Sequence, residues 1–297
     1  MEFDLENPLT ELEQHQSNTI LSLFESESDH MPSADYIRNS KSKDFDVSVR
    51  QQAISLILHA QCCSNTDPFL PYLAVNYLDR FISRHKLPQG KQWILKLISI
   101  SCLSLAAKMM NLEISVDDFQ GEDQFIFDSQ TIQRMELLIL GALEWRLRSI
   151  TPFSFLHFFM SMFNLQDPPL LKALKARATD ILFKSQTDIS IIEFKPSIVA
   201  ASALLIATNV LFPLQFPCFR DTISSCQYVN KERLVDCCTV MQDLVMDDFD
   251  MGVRSSSNTP VNVLDRHWSS SSESELTATT ETIRSVRSII RRNTNDF

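Results

Sequence analysis

The chain has 297 residues, of which 44% are hydrophobic and 22% charged, and its formal net charge is −10. This length suits two ordinary domains with real hydrophobic cores. The negative charge disfavours nucleic acid as a main partner, because phosphate binding depends on clustered Lys and Arg. Only four glycines are present, none near another, which argues against phosphate-cradling loops and nucleotide-dependent enzymes. The scarcity of turn pairs such as Asn-Gly favours an all-α protein.

The seven cysteines form no C-x-x-C pair and no Cys/His metal spacing. Most lie in apolar helical stretches, where cysteine behaves as a small hydrophobic side chain, and this usage is typical of a reducing compartment. The N-terminal residues show no basic-then-apolar secretion signal. The apolar run from Trp93 to Met110 is interrupted by Lys96 and several serines, which favours a core helix over a membrane span. We therefore expect a soluble intracellular protein without a membrane partner.

Both ends of the sequence have the composition of flexible segments. Residues 1–43 are polar and acidic, with residues 25–33 the most disorder-like part and a helical fragment expected only at 34–39. Residues 251–297 are rich in Ser and Thr and are predicted to be disordered. Their basic amphipathic end, residues 281–293, either folds on an acidic or apolar partner or remains a solvated tail.

The middle of the chain predicts two consecutive groups of about five helices, at residues 44–149 and 150–250. In the first group, helices are expected over residues 47–60, 68–85, 93–110, a short stretch from Ser115, and from a cap at Asp128 or Ser129 to Leu143. In the second group they are expected after Thr151 and Pro152, over residues 168–185 and 196–211, near 219–226, and over 231–245 after the Asn230 cap. The central helix of each group is rich in alanine and aliphatic residues, which suits a helix packed on all sides.

No catalytic or cofactor-binding constellation is visible in the sequence. The six histidines form no H-x-x-x-H or H-E-x-x-H arrangement, and no G-x-S-x-G motif is present. The acidic pairs 117–118 and 247–248 consist of adjacent residues, which point about 100° apart on a helix and do not converge on a shared site. We expect no enzyme activity, no metal and no cofactor.

Five charged residues lie within apolar helical stretches: Arg50, Asp79, Arg80, Lys108 and Glu136. A lysine is almost never fully buried without a partner, so a partner is expected for Lys108. Leu97, Ser101 and Ser104 share its helical stripe, which is less apolar than the rest of the helix and is predicted to face a partner or a groove. The alternative for each charge is a snorkelling or internally paired side chain. Together they suggest one structural pair and one small charged interface.

Five stretches match a known family: YLAVNYLDRFIS (72–83), LKLISISCLSLAAK (95–108), RMELLILGALEWRL (134–147), ITPFSFLHFF (150–159) and KPSIVAASALL (195–205). They resemble the cyclins, specifically the plant D-type cyclins, over about residues 44–250. The resemblance implies two tandem five-helix cyclin folds between disordered tails. The first is the N-terminal cyclin box, residues 44–149, and the second is the C-terminal cyclin fold, residues 150–250.

The resemblance also implies roles for single residues. Arg50 and Asp79 correspond to an internal structural pair, and Trp145 lies where the family places an aromatic side chain. The implied contacts to a cyclin-dependent kinase are Lys108, Glu136, Leu97, Leu140 and Leu147. The implied protein is a regulatory subunit, not an enzyme: it forms a heterodimer with the kinase, activates it allosterically and promotes the G1/S transition and cell division in the nucleus (and cytoplasm). Cyclin-dependent kinase inhibitors and retinoblastoma-related protein are further candidate partners.

Two alternatives stay open: a cyclin-fold module that engages the kinase or its inhibitors without efficient activation, and an unrelated all-helical adaptor. Met110 and Asn111 motivate the first, because they replace the acidic pair usual after the family's lysine.

The positions that match the family's R-x-L docking patch are Val49, Gln52, Ala53, Leu56 and His59, and such docking is not expected. The N-terminal residues contain no L-x-C-x-E motif for the retinoblastoma-related pocket. Thr259, before Pro260, is a minimal proline-directed phosphorylation site.

Overall fold

The computed structural model of the protein describes residues 16–40, 47–64, 67–85, 87, 91–112, 125–165 and 167–255. These residues form no strand and eleven α-helices: α1 (Gln16–Ser26), α2 (Ala34–Ser40), α3 (Ser48–Ser64), α4 (Phe69–Ile82), α5 (Gln92–Met109), α6 (Ser129–Ala142), α7 (Phe153–Ser161), α8 (Pro168–Ser185), α9 (Pro196–Leu211), α10 (Phe216–Ser224) and α11 (Lys231–Ser255). Short 3₁₀ turns follow α1 and α8, at Glu27–His30 and Ile189–Glu193. The all-α prediction is confirmed. The short helix predicted from Ser115, and the tail beyond residue 255 with Thr259, lie outside the described residues.

Capping residues decide where several helices begin. Asp128 precedes α6, and its Oδ1 accepts a hydrogen bond from the Thr131 N–H at 2.6 Å. α9 begins at Pro196, whose fixed φ suits the first helical position. At the start of α11, the Asn230 side chain accepts from the Arg233 N–H at 3.0 Å. The helix starts predicted at these three positions are confirmed.

Two helix boundaries differ from the sequence prediction. α7 begins at Phe153, and the Thr151 hydroxyl, predicted to cap it, is buried and has no hydrogen-bond partner among the described residues. The Thr151 N–H instead donates to Ser154 Oγ, 3.4 Å away. α11 continues to Ser255, ten residues past its predicted body, so it includes Gly252 and the first five residues of the segment predicted to be disordered, for which that prediction is wrong.

Each group of helices is built around one central helix. α5 contacts α3, α4 and α6, and α9 contacts α7, α8, α10 and α11. Every residue of α9 from Pro196 to Asn209 is buried. By length and composition alone α5 would suit a membrane span, but 72% of it is buried inside the protein. The prediction of a core helix at the centre of each group is confirmed.

Residues 16–40 form a helical N-terminal strap, and the prediction of a mostly flexible segment is wrong here. The fragment expected at 34–39 is present as α2. Glu27, in the most disorder-like stretch, is 1% exposed. Its carboxylate accepts hydrogen bonds from the Ser197 N–H (2.9 Å) and hydroxyl (3.0 Å), and Lys195 Nζ lies 3.4 Å away. The carboxylate thereby caps α9, where unpaired N–H groups and the helix dipole favour negative charge.

The N-terminal strap contacts both helix groups. Phe24 of α1 stacks on Tyr228 with ring centroids 4.5 Å apart, and its centroid lies 4.9 Å from that of Phe155 in α7. At the other group, the Ser33 N–H donates to Ser83 Oγ at 3.0 Å, and the Ser33 hydroxyl donates to the Ser83 carbonyl at 2.9 Å. The strap therefore ties the two helix groups together.

Glu27→Ala is expected to lower the free energy of unfolding by about 1–3 kcal/mol, because it leaves the buried N–H of Ser197 without an acceptor. Glu27→Gln keeps an acceptor oxygen and is expected to retain most of the stability. Burial raises the pKa of Glu27, so the folded state disfavours the ionised carboxylate. The free energy of unfolding of the wild type should therefore fall as pH rises through the folded pKa. Glu27→Gln does not ionise at this position, so its stability should lack this fall with pH. Urea denaturation at several pH values measures both effects. If Glu27→Ala is as stable as the exposed control Glu25→Ala, the capping role is refuted.

A buried ion pair also joins the two helix groups. Arg50 of α3 donates from Nε and Nη2 to the two carboxylate oxygens of Asp79 in α4, at 2.7 and 2.9 Å. The same guanidinium donates to the carbonyls of Gln186 and Thr187, just after α8, at 2.8 and 2.7 Å. The pair implied by the resemblance is therefore present, and Arg50 also satisfies two helix-end carbonyls of the second group.

Candidate functional site

Lys108 lies in the last turn of α5, and its partner is Glu136 in the middle of α6. The Lys108 Nζ lies 2.7 Å from each carboxylate oxygen of Glu136. The Glu136 side chain is 8% exposed and the Lys108 side chain 59%. Water screens such a half-exposed pair, whose net contribution to stability is about 0–1 kcal/mol. The Lys108 ammonium is therefore at the surface and available to a bound protein at little energetic cost.

The prediction that the stripe of Lys108 faces a partner or a groove is wrong for its other members. Leu97 is 3% exposed, Ser101 0% and Ser104 4%. Serine is small enough to let neighbouring helices pack closely on α5, so its lower hydropathy does not indicate exposure. Leu97 is consequently a core residue, and the direct kinase contact implied for it does not fit the structure.

The end of α5 explains one departure from the family pattern. Asn111 has a φ of 54°, a left-handed conformation that Asn tolerates better than most residues with a side chain. The Leu112 N–H donates to the Ala107 carbonyl at 2.9 Å, and the Asn111 N–H to the Lys108 carbonyl at 3.3 Å. This Schellman arrangement ends the helix directly after the lysine. Asn111 therefore has a structural role in placing Lys108.

The exposed side of α6 and the turn after it form a largely apolar surface. The most exposed side chains are Leu137 (59%), Leu138 (61%) and Trp145 (69%), while Leu140 and Leu147 are half-buried. The α6 surface comprises Glu136, Leu137, Leu138, Leu140, Trp145 and Leu147. Exposed apolar patches of this kind mark interaction sites. The sequence prediction missed Leu137 and Leu138, because no periodicity separates exposed from buried residues in an all-apolar run.

Buried side chains of α4 donate hydrogen bonds to the backbone of the turn that carries Trp145 and Leu147. The Tyr77 hydroxyl donates to the Leu147 carbonyl at 2.7 Å. Arg80 is 1% exposed and donates to the Arg146 carbonyl at 3.0 Å. Burial lowers the pKa of Arg80 to about 10, so the guanidinium is still charged at neutral pH. In the sequence, Arg80 stands out only as a charge within an apolar helical stretch. In the structure it holds the backbone of the turn that exposes the Trp145 indole.

The same turn contains two residues in the left-handed region. Glu144 and Trp145 have φ values of 55° and 60°, and the Trp145 N–H donates to the Leu140 carbonyl at 3.0 Å. A positive φ is uncommon for a bulky residue and persists only where surrounding contacts enforce it. The buried Tyr77 and Arg80 hold the carbonyls of Leu147 and Arg146 that follow, and Asp29 Oδ2 of the N-terminal strap lies 2.9 Å from Arg146 Nη1. The exposed position of the Trp145 side chain is therefore imposed by the fold.

A second surface feature is a groove of about 890 Å³ between α3 and α5. Its lining is mostly polar: Ser48, Gln51, Gln52, Ser55, Leu56, His59, Gln92, Leu95, Lys96 and Phe125. Gln52, Leu56 and His59 of the matched docking patch lie here. Ala53 is 1% exposed and belongs to the core, and Val49 is half-buried. That this groove does not suit R-x-L docking stays a prediction.

The chemistry of the α6 surface is that of protein binding. A charged pair with one exposed member adjoins a patch of apolar side chains, and protein interfaces combine such an apolar centre with polar groups at the rim. In the part of the chain that the structure describes, no group of three His, Cys, Asp or Glu side chains could hold a metal ion.

The sequence matches two family models, "Cyclin, N-terminal domain" over residues 19–148 and "Cyclin, C-terminal domain" over residues 150–282. It is 49% identical over 293 residues to "Putative cyclin-D6-1" of Arabidopsis thaliana, covering 94% of this chain and 95% of that protein. It is 40% identical over 285 residues to "Cyclin-D6-1" of Oryza sativa subsp. japonica, covering 94% and 86%. The fold is similar to that of a viral cyclin from herpesvirus saimiri, with a TM-score of 0.61, 17% identity, and coverage of 80% of this chain and 100% of that one. The chain therefore belongs to the cyclin family, and its relatives there are plant D-type cyclins.

Proposed function

We propose that this cyclin is the regulatory subunit of a cyclin-dependent kinase. It binds the kinase as a heterodimer, activates it allosterically and so promotes the G1/S transition and cell division. The observation that carries the proposal is the α6 surface, where exposed apolar side chains adjoin the Lys108–Glu136 pair. The cyclin supplies no catalytic residue, and the phosphoryl-transfer chemistry belongs to the kinase.

Activation requires that the cyclin bind the active arrangement of the kinase more tightly than the inactive one, because a ligand shifts an equilibrium only by its differential affinity. In the active arrangement, the regulatory helix of the kinase lies inward and its Lys–Glu ion pair is complete. Leu137, Leu140 and Trp145 offer apolar area to that helix. Lys108 offers ammonium donors to backbone carbonyls beside it.

The apolar side chains are numerous enough for this task. Moving a kinase from about 1% to about 99% active requires a differential affinity of about 5.5 kcal/mol. Fully burying an exposed leucine or a comparable side chain contributes about 1.5–3 kcal/mol. Leu137, Leu138 and Trp145 are about 60–70% exposed, so burying the exposed part against only the active arrangement contributes about 3–6 kcal/mol, whose upper end matches the required difference.

Reconstitution with a purified plant cyclin-dependent kinase tests the proposal. The cyclin is expected to co-purify with the kinase and to raise phosphorylation of histone or retinoblastoma-related substrate well above that of the kinase alone. If the cyclin forms no complex with any of the plant cyclin-dependent kinases tested, the proposal is refuted.

A second candidate function is a cyclin-fold module that binds the kinase or its inhibitors without efficient activation. Met110 and Asn111 favour it, because they stand two and three residues after Lys108, where the family usually has an acidic pair. The same reconstitution separates the two functions. A stable complex that does not phosphorylate substrate above background supports the second and contradicts activation.

Lys108→Ala and Glu136→Ala are each expected to reduce kinase binding sharply, by about tenfold or more, since each removes a charged contact at the interface. Both variants should keep the wild-type helicity, and Lys108→Ala should be the less stable of the two, because it leaves the nearly buried Glu136 carboxylate without its partner. Affinity measured by calorimetry, with circular dichroism of the free chains, checks both statements. If both variants bind as tightly as the wild type, the interface lies elsewhere.

The proposal also includes location in the nucleus (and cytoplasm). It further includes contacts with kinase inhibitors, and with retinoblastoma-related protein by a route other than an L-x-C-x-E motif. The family resemblance supports them. Fluorescent tagging in plant cells and pull-down with purified retinoblastoma-related protein test them separately from kinase binding.

A further inference from the structure

We propose that Gly141 determines which kinases this cyclin accepts, by letting a helix of the kinase approach the backbone of α6 closely. The inference rests on the proposed function and names a specificity determinant at the same surface.

In the part of the chain that the structure describes, Gly141 has no role that requires glycine. It lies in the last turn of α6, its φ is outside the left-handed region, and a Cβ added to it would meet no described atom within 4 Å. A glycine inside a helix destabilises the helix relative to alanine, because it loses more backbone freedom on folding. The residue is therefore unfavourable for folding and is not required by crowding.

The cap of α6 does not account for the glycine either. The left-handed positions of that cap are Glu144 and Trp145. Gly141 contributes only its carbonyl, which accepts from the Glu144 N–H at 3.1 Å, and any residue would supply the same carbonyl. No contact among the described residues therefore requires a glycine here, which points to a contact made outside the free chain.

The neighbours of Gly141 indicate what lies above it in the complex. Leu137 and Leu138 precede it by four and three residues and so lie beside it on the same side of the helix. Both leucines are about 60% exposed, and between them and the next turn the missing side chain leaves a depression over the backbone. Two packed helices lie 8–10 Å apart, depending on the side chains at the contact. A glycine at the contact therefore favours a close crossing.

The occupant is a helix of the kinase, because the depression is continuous with the rest of the α6 surface. Leu137 and Leu138, two of the most exposed members of that surface, flank Gly141, and the turn that carries Trp145 begins three residues after it. A kinase whose helix places a side chain into the depression gains contact area. One whose helix places a side chain too large for it is rejected by overlap, which is how shape discriminates between partners.

Three variants test the inference: Gly141→Ala, Gly141→Leu and, as the matched control, Ala173→Leu at an exposed position of α8. Gly141→Ala is expected to raise the thermal midpoint of the free cyclin by about 2–4 °C. Gly141→Leu should fold equally well, yet lose about tenfold or more in affinity for the kinase that the wild type prefers, and change the order of preference across a panel of plant cyclin-dependent kinases. Ala173→Leu should leave both affinity and order unchanged.

Wild-type affinities across the panel for Gly141→Leu would overturn the inference while leaving the proposed function intact. A wild-type chain that binds no kinase would overturn the proposed function, and the inference with it. An alanine scan of the kinase helix provides a further criterion. One alanine that restores binding to Gly141→Leu, without improving the wild type equally, locates the facing side chain and supports the inference, whereas rescue by none of them overturns it.

Discussion

Arg50→Ala is expected to lower the free energy of unfolding by about 3–5 kcal/mol, because it leaves the buried carboxylate of Asp79 without its partner. Both residues are at most 5% exposed, so water cannot replace the lost guanidinium. The carbonyls of Gln186 and Thr187 lose their donor in the same substitution. A loss of this size is a large fraction of the stability of a typical domain. Chemical denaturation followed by circular dichroism measures it.

Three further variants keep this test decisive even if Arg50→Ala does not fold. Arg50→Lys should remain strongly destabilised, since an ammonium cannot reproduce the two-pronged contact of a guanidinium. The double variant Arg50→Met with Asp79→Leu should recover part of the loss, because it removes the uncompensated buried charge. Arg38→Ala, at an arginine whose side chain is 78% exposed, should change stability little. Equal stability of Arg50→Ala and Arg38→Ala would show that the buried pair does not hold the fold.

Trp145→Ala is expected to weaken kinase binding by about 30-fold or more, equivalent to about 2 kcal/mol, the loss typical of a tryptophan at the centre of an interface. Its side chain is 69% exposed in the free chain, so the thermal midpoint of the free cyclin should change little. The combination of a large loss in affinity with unchanged stability is the expected result. Calorimetric titration with the kinase and thermal unfolding of the free chain measure the two quantities.

Leu214→Ala is the matched control for this substitution. Leu214 is 95% exposed between α9 and α10, so it is equally apolar and accessible but belongs to the second helix group. Kinase binding should be unaffected. If Leu214→Ala weakens binding and Trp145→Ala does not, the binding surface lies on the second group and not on α6.

Much of the fold could be predicted because its signals are local. Asp128, Pro196 and Asn230 act within one turn of the helices they begin, so the sequence alone reveals them. The two central helices are apolar nearly throughout, so their composition alone predicts that they are buried. The pairing of Arg50 with Asp79 came instead from the family resemblance, since nothing in their spacing joins them.

The features that the sequence prediction missed depend on distant partners or on the angle of a helix in the fold. Glu27 lies in a stretch with disorder-like composition, and only α9 turns it into a buried cap. Ser101 and Ser104 were expected at a groove, but close helix packing buries them. Leu137 and Leu138 have the composition of core residues, yet the orientation of α6 exposes both.

The capping of α9 by Glu27 has a consequence for the order of events on the ribosome. The acceptor is made 170 residues before its donor Ser197, and at about 5–20 residues per second this interval lasts roughly 10–30 s. Throughout that time α9 has not been synthesised, so Glu27 has no Ser197 to bind and α1 cannot reach its native position. The Phe24 ring is meanwhile exposed to chaperones and to neighbouring nascent chains. This segment, which leaves the ribosome before both helix groups, is thus among the last to reach its native position. Protease sensitivity of this segment in stalled chains should persist until α9 has emerged.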